Sequence, residues 1–215
     1  MPYSIQQFIL TVSVVPVGVA CVVGIVRFGR LERTLRYLVG LVLIAAIIEA
    51  ISRGLWLQKK SNMFLQPLDT GVEFGLLAWI YRRALWPSLA SRVVPAVVVV
   101  FSLASLLSYA EPGGIVQFNP VQRFVESLLV LTLVLLYFNK LISEMRVVHL
   151  EREPLFWIST GLLIYFAGNI LIFISSNYVM QHLRDSSVKI WAVHAVLYMV
   201  LHGFYSLSLC IRPRS

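Results

Sequence analysis

The sequence predicts an all-α integral membrane protein, a bundle of seven transmembrane helices that forms a single domain over residues 1–215. Three observations lead to this prediction. Of the 215 residues, 59% are hydrophobic and 13% are charged, whereas soluble domains are about 45–50% apolar and about 25% charged. The mean hydropathy is +0.82. No hydrophilic stretch is long enough to form a second domain, so lipid is expected to surround most of the chain.

The apolar residues fall into seven segments, each long enough to cross a hydrocarbon core that needs about 20 residues of helix. They cover residues 5–26, 37–57, 64–86, 93–110, 120–141, 155–176 and 190–211. We expect helices because a helix satisfies its own backbone hydrogen bonds in lipid. In chain order, the breaks between them are arginines over 27–36, Lys59 and Lys60, Pro87 with Arg92, a Pro-Gly turn over 111–114, a charged linker over 144–154, and Arg184 with Asp185. Pro16 predicts a kink in the first span.

The distribution of basic residues predicts the orientation. Most of the 18 lysines and arginines fall on one side, in the first, third and fifth loops and the C-terminal tail. These residues are Arg27, Arg30, Arg33, Arg36, Arg82, Arg83, Arg92, Lys140, Arg146, Arg152, Arg212 and Arg214. The positive-inside rule then places the N-terminus outside and the C-terminus in the cytoplasm. We therefore interpret the net charge of +8 as the orientation signal of a multi-pass membrane protein, and predict no nucleic-acid partner.

Ionisable side chains inside the predicted spans indicate a candidate site, because each costs about 2.5–3.5 kcal/mol on insertion scales. They are Glu49 and Arg53 on span two, Asp69 and Glu73 on span three, Arg123 and Glu126 on span five, and His194 and His202 on span seven, with Asn169 on span six as a polar neighbour. At about 1.5 Å per residue, all except His202 fall in the outer half of the bilayer. Five helices thus deliver polar groups to one layer, which predicts a shared polar chamber.

The spacing of these residues agrees with a shared chamber. Each pair on spans two, three and five is three or four residues apart and so lies on one helix face. On span seven, a single polar and aromatic stripe is predicted to face the bundle interior. Its members are Trp191, His194, Tyr198, His202 and Tyr205.

The charges in the predicted chamber do not balance. Four carboxylates against two guanidinium groups leave −2, and protons, a protonated His194 or a bound cation is expected to complete the site. The predicted ligand-binding residues are Glu49, Glu73, Arg123, Glu126, Asn169 and His194. The candidate metal ligands are Glu73, Glu126 and His194, and no residue is assigned as catalytic. The alternative is a structural ion-pair network that holds the helices in register.

Several stretches carry a family resemblance. Residues 154–169, Val72-Glu73-Phe74 on span three, the start of span five with Arg123 and Glu126, and the Trp191-x-x-His194 opening of span seven all contribute to it. Together they resemble a family of small uncharacterised seven-helix membrane proteins of Gram-negative bacteria, often encoded beside sensor histidine kinases. The resemblance implies the seven-helix architecture, a multi-pass location in the bacterial cytoplasmic (inner) membrane and a membrane histidine kinase as candidate partner. It implies no established activity.

Three function classes are compatible with these observations. The sequence favours a membrane-embedded sensor or receptor for a small ligand, a cation or protons that acts through a partner. The second class is an intramembrane metal-assisted lipid hydrolase, with Glu73, Glu126 and His194 as ligands or acid/base groups. The third is a small transporter. The ligand and the oligomeric state are open at this point.

Overall fold

The structure is a computed structural model that describes residues 5–110, 118–144, 150–182 and 184–211, without the side chains of residues 175–187. Across these ranges the regular secondary structure is entirely helical, which confirms the all-α prediction. The α-helices are α1 (Ile5–Val12), α2 (Val14–Arg27), α3 (Arg33–Leu57), α4 (Gln66–Ala84), α5 (Leu89–Leu107), α6 (Pro120–Glu144), α7 (Pro154–His182) and α8 (Arg184–Cys210).

The first predicted span is formed by two helices. α1 ends at Val12 and α2 begins at Val14, with Ser13 between them. Pro16 lies four residues after Val12. Because proline has no backbone N–H, it cannot donate the helical hydrogen bond to the Val12 carbonyl, and its ring is crowded against that carbonyl. The disruption predicted at Pro16 therefore occurs about one turn earlier, at Ser13, where α1 and α2 are separated.

Six helical segments in the described part of the chain are long and apolar enough to cross a membrane. They are Ile5–Arg30, Arg33–Leu57, Leu89–Leu107, Pro120–Glu144, Pro154–Ile174 and Val188–Cys210. The remaining predicted span, 64–86, corresponds to α4. Its 19 residues give a helix about 28 Å long, but it carries Asp69, Glu73, Arg82 and Arg83 and is the least apolar of the long helices.

The order of helix contacts places α4 inside the assembly. Neighbouring helices pack in the closed order α2, α3, α4, α6, α7, α8 and back to α2, while α5 lies outside this ring against α4. Phe74, Leu77, Ile80 and Tyr81 of α4 are buried in the core. The charged helix is thus covered on several sides by apolar ones. The outward faces of those helices expose large apolar residues, as a lipid-facing surface requires.

The seam between α7 and α8 is the closest helix contact. A Cβ atom at Gly161 would lie 2.8 Å from the Cβ of Phe204, and one at Gly168 would lie 2.8 Å from Cδ1 of Leu197. Small residues let membrane helices approach closely. This seam therefore fixes α8, and with it the polar stripe of α8, against α7.

Candidate functional site

Arg123 is the centre of a charged cluster between α4 and α6. Its Nη1 donates to Oε2 of Glu73 and to Oε2 of Glu126, both at 2.9 Å, and its Nη2 donates to Oδ2 of Asp69. Asp69 and Glu73 are one turn apart on α4, and Arg123 and Glu126 are three residues apart on α6. The spacing therefore presents each pair on one face, as predicted. We call these four residues the Arg123 cluster.

Burial increases across the Arg123 cluster. The side chain of Asp69 is 26% exposed, that of Glu73 17%, that of Arg123 13% and that of Glu126 0%. Asp69 is thus the most accessible member and Glu126 the most enclosed. Oε1 of Glu126 is buried, and no residue in the described part of the chain donates a hydrogen bond to it. Three carboxylates against one guanidinium leave a formal charge of −2 when all are ionised.

A backbone clamp fixes the relative position of α4 and α6 one turn from the cluster. The side-chain amide of Gln66 donates to the carbonyl of Asn119 and accepts from its N–H, both at 2.9 Å. The side-chain oxygen of Asn119 accepts from the N–H of Gln122 at 3.1 Å. Asn119 therefore caps the N-terminus of α6. The clamp holds Arg123 level with the carboxylates of α4.

His194 and Asn169 form a second polar unit, between α8 and α7. Nδ1 of His194 lies 2.9 Å from Oδ1 of Asn169, whose Nδ2 donates to the carbonyl of Tyr165 at 2.8 Å. Since the amide oxygen can only accept, Nδ1 of His194 carries the donated proton. In the neutral imidazole, Nε2 then keeps its lone pair.

Aromatic rings surround His194. The centroids of Tyr165, Phe173, Trp191 and Tyr198 lie 5.5 to 6.4 Å from the imidazole centroid. These rings separate the imidazole from lipid. One of these rings, Tyr165, also lies near the Arg123 cluster.

Tyr165 connects the two units. The Tyr165 and His194 rings pack together with centroids 5.7 Å apart and a tilt of 53°. The Tyr165 hydroxyl is close enough to Glu73, Arg123 and Glu126 to interact with them electrostatically, and His194 is close enough to Arg123 to do the same. Five of the predicted residues therefore lie in two neighbouring polar units: Glu73, Arg123 and Glu126 in one, Asn169 and His194 in the other.

Glu49 belongs to a different set of contacts. Oε1 of Glu49 accepts from Nε of Arg53 at 3.3 Å, and Nη2 of Arg53 donates to the carbonyls of Leu10 and Thr11 at 2.7 and 3.3 Å. Both charged side chains are about one-third exposed. This pair joins α3 to the last turn of α1. Tyr198 lies within electrostatic range of Glu49 as well as of the α4 carboxylates.

The candidate metal ligands do not form a ligand set. Glu73 and Glu126 both direct Oε2 to Arg123, and Nδ1 of His194 faces Asn169. Within the described ranges, no group of three or more His, Cys, Asp or Glu side chains is arranged to hold a metal ion.

Comparison with protein families, with curated proteins and with solved structures finds no match for this chain. The family resemblance therefore stays a prediction. The multi-helix bundle with apolar spans that it implies is what the structure shows.

Some contributors to the site were not predicted. Tyr165, Phe118 and Phe173 contact its polar or aromatic members. Tyr165 precedes Asn169 by four residues, a spacing that places both on one face of α7. Asn119 precedes Pro120, and Asn before a proline at the first helical position is a helix-start signal. Both signals are present in the sequence.

Proposed function

We propose that this chain is a membrane-embedded sensor or receptor that responds to protons or a small cation at the Arg123 cluster and acts through a partner. The observation that supports the proposal is the formal charge of −2 in an enclosed site, together with the unpartnered Oε1 of the buried Glu126. Excess negative charge in a low dielectric favours protonation or the binding of a cation. Asp69, the most accessible member, provides the entrance.

The geometry offers a way to convert occupancy into movement. Arg123 attracts carboxylates of α4 across the seam to α6, and the strength of this attraction depends on how many of them are ionised. A proton or cation on Glu73 would weaken the attraction between the two helices. One on Glu126, which is on the same helix as Arg123, would strengthen it by removing a negative charge that repels the carboxylates of α4. A ligand that binds one arrangement more tightly shifts the population toward it. His194, whose ring packs against that of Tyr165, is the other candidate switch.

The proposal includes a topology. α4 is the third of seven spans, the N-terminus lies outside, and the Arg123 cluster lies in the outer half of a bacterial inner membrane. The arginines between α2 and α3 and those at the end of α4 then face the cytoplasm, where a membrane histidine kinase is the proposed partner. Support comes from the excess of basic residues on that side.

Infrared difference spectroscopy of the purified protein in lipid nanodiscs tests the proposal. The probes are protons, supplied by a shift from mildly alkaline to mildly acidic buffer, and the chlorides of sodium, potassium, magnesium and calcium. We expect one probe to change a carboxyl band that disappears in Glu126→Gln or Glu73→Gln. The control is Glu144→Gln, on the same helix as Glu126. The carboxylate of Glu144 is partly exposed and lies 3.9 Å from Nζ of Lys140.

One outcome of the infrared experiment would contradict the proposed sensing function. If every probe gives the same difference spectrum for the wild type and for folded Glu126→Gln and Glu73→Gln variants, the cluster is a structural ion-pair network. Asp69→Asn serves in place of either variant that does not fold, because Asp69 is the most exposed carboxylate of the cluster.

A further inference from the structure

Polar side chains continue from the Arg123 cluster along the inside of the helix ring toward the end of the bundle where α7 begins. We propose that they form a path along which protons pass between the Arg123 cluster and Glu153. Proton transfer along this path would be an activity in addition to the proposed sensing function. One end of the path is the Arg123 cluster, the site of the proposed function.

The first part of the path runs along α8. His194, Tyr198, His202 and Tyr205 follow one another at steps of four, four and three residues on one helix face. The centroids of successive rings are 6.4, 4.2 and 5.4 Å apart. From His194 to Tyr205 the helix rises about 16 Å, roughly half the hydrocarbon thickness.

The second part of the path leads from α8 to the far end of the bundle. Tyr205 is close enough to both Glu73 and Tyr81, which are eight residues apart on α4, to interact with them electrostatically. The hydroxyl of Tyr81 is hydrogen-bonded to that of Ser159 at 2.7 Å, and its ring lies 6.1 Å from the ring of Tyr137. Tyr137 lies within electrostatic range of Glu153. Glu153 directly precedes α7.

Unpartnered polar atoms lie along this path. Four buried atoms have no hydrogen-bond partner among the residues that the structure describes, and their side chains are more than nine-tenths buried: Oε1 of Glu126, Nε2 of His202 and the hydroxyls of Tyr205 and Tyr137. Buried polar atoms are nearly always hydrogen-bonded, to protein or to ordered water. A purely structural core would fill these positions with apolar groups. Their placement between the two carboxylate ends fits a path that water completes.

The chemistry of each transfer balances. Nδ1–H of His202 donates to the carbonyl of Tyr198 at 3.0 Å, so Nε2 holds the lone pair that accepts a proton from the cluster side. The same nitrogen then releases the proton toward Tyr205. A tyrosine hydroxyl accepts one proton on its oxygen as its own proton leaves on the other side. For every O–H or N–H bond that forms one breaks, and no oxidation or reduction takes place.

Glu153 is suited to receive or supply the proton. It is half-buried in the linker outside the spans, where burial, with Glu32 nearby, raises the pKa of its carboxyl group. The other titratable and charged groups that face the path are Glu49 on α3, Asp69 and Glu73 on α4, Arg123 and Glu126 on α6, and Tyr165 on α7. On α2, which packs against α8, the thiol of Cys21 donates to the Val42 carbonyl, and Arg27 lies at the helix end.

Proton flux into proteoliposomes tests the path. Vesicles of phosphatidylethanolamine and phosphatidylglycerol would enclose a pH-sensitive dye and potassium, and valinomycin would impose an inside-negative potential. We expect the wild type to acidify the lumen faster than protein-free vesicles do. Tyr205→Phe, which removes only the hydroxyl, should slow the flux by about tenfold, as expected for the loss of one hydrogen-bonding group from a path. Tyr109→Phe is the matched control, because Tyr109 is exposed and its hydroxyl donates to the Phe64 carbonyl at the bundle end.

Two results would overturn the path. One is a wild-type flux equal to that of protein-free vesicles. The other is equal flux in Tyr205→Phe and Tyr109→Phe, with Tyr137→Phe as the substitute if Tyr205→Phe does not fold. Either result leaves the infrared response of Glu126 untouched, so the path and the sensing site fail independently.

Discussion

Replacing Arg123 with leucine is expected to cost about 2–5 kcal/mol in the free energy of unfolding. Arg123 makes three charge-assisted hydrogen bonds to carboxylates on two helices. At about 0.6 kcal/mol for each of the two contacts between α4 and α6, with up to about 0.5 kcal/mol for the pair with Glu126 on the same helix, these bonds give a lower bound near 2 kcal/mol. The upper bound of about 5 kcal/mol comes from buried pairs in which one partner is removed and the other charge stays uncompensated. The variant leaves three carboxylates with no cation in contact, so the upper half of the range is favoured.

The assay is equilibrium unfolding in mixed micelles of a mild detergent and sodium dodecyl sulfate, followed by circular dichroism. The control is Arg92→Leu, which removes an exposed arginine from α5 and is expected to change stability by less than about 0.5 kcal/mol. An additional Glu126→Gln substitution should restore part of the loss in Arg123→Leu, because it lowers the uncompensated charge from −3 to −2. If Arg123→Leu unfolds at the same detergent fraction as Arg92→Leu, the charge argument for the cluster is wrong.

The α7–α8 seam and the Glu153 linker give two further predictions. Gly161→Ala should cost about 1–3 kcal/mol by overpacking, since the new Cβ meets the fixed Cβ of Phe204. Gly168→Ala should be milder, because it meets the mobile end of Leu197 and gains helix propensity; equal losses in the same unfolding assay would contradict this reasoning. Glu153→Gln should stabilise the protein at neutral pH and have no effect at acidic pH. The pKa of the Glu153 carboxyl is higher in the folded state than in the unfolded state. The free energy of unfolding therefore decreases as the pH rises from the unfolded-state pKa through the folded-state pKa. Glutamine does not ionise, so the variant does not lose this stability. A stabilisation that is the same at both pH values would count against this cause.

The sequence was sufficient for the helices but less so for their ends. The predicted spans 37–57 and 120–141 correspond to Arg33–Leu57 and Pro120–Glu144, and the helices extend beyond the apolar run by several residues. Hydropathy reports where lipid begins, whereas a helix ends where its backbone hydrogen bonds end. The charged residues at these ends, such as Arg33 and Glu144, lie in the helix but outside the apolar run.

The face on which each charged pair lies was predictable, but its partners were not. Helix periodicity placed Glu49 with Arg53, Asp69 with Glu73, and Arg123 with Glu126 on one helix face each. Which faces meet depends on the order of helices around the ring, and a single sequence does not contain that order. Arg53 therefore binds Glu49 and the end of α1 in the structure, while Arg123 takes the carboxylates of α4.

The structural and functional interpretations of the cluster are compatible. Asp69 and Glu73 together would add up to about 5–7 kcal/mol to the insertion of α4 as an isolated span. Arg123 on α6 offsets that cost only after α6 has been placed beside α4, so the ion pairs are required for assembly. Arg123 directs its donors to Oε2 of Glu126 and leaves Oε1 unpartnered in the interior. Assembly alone does not account for that second oxygen. It is therefore the atom at which a proton or cation can change the charge of the cluster while the bonds from Arg123 to Asp69 and Glu73, which hold α6 against α4, stay in place.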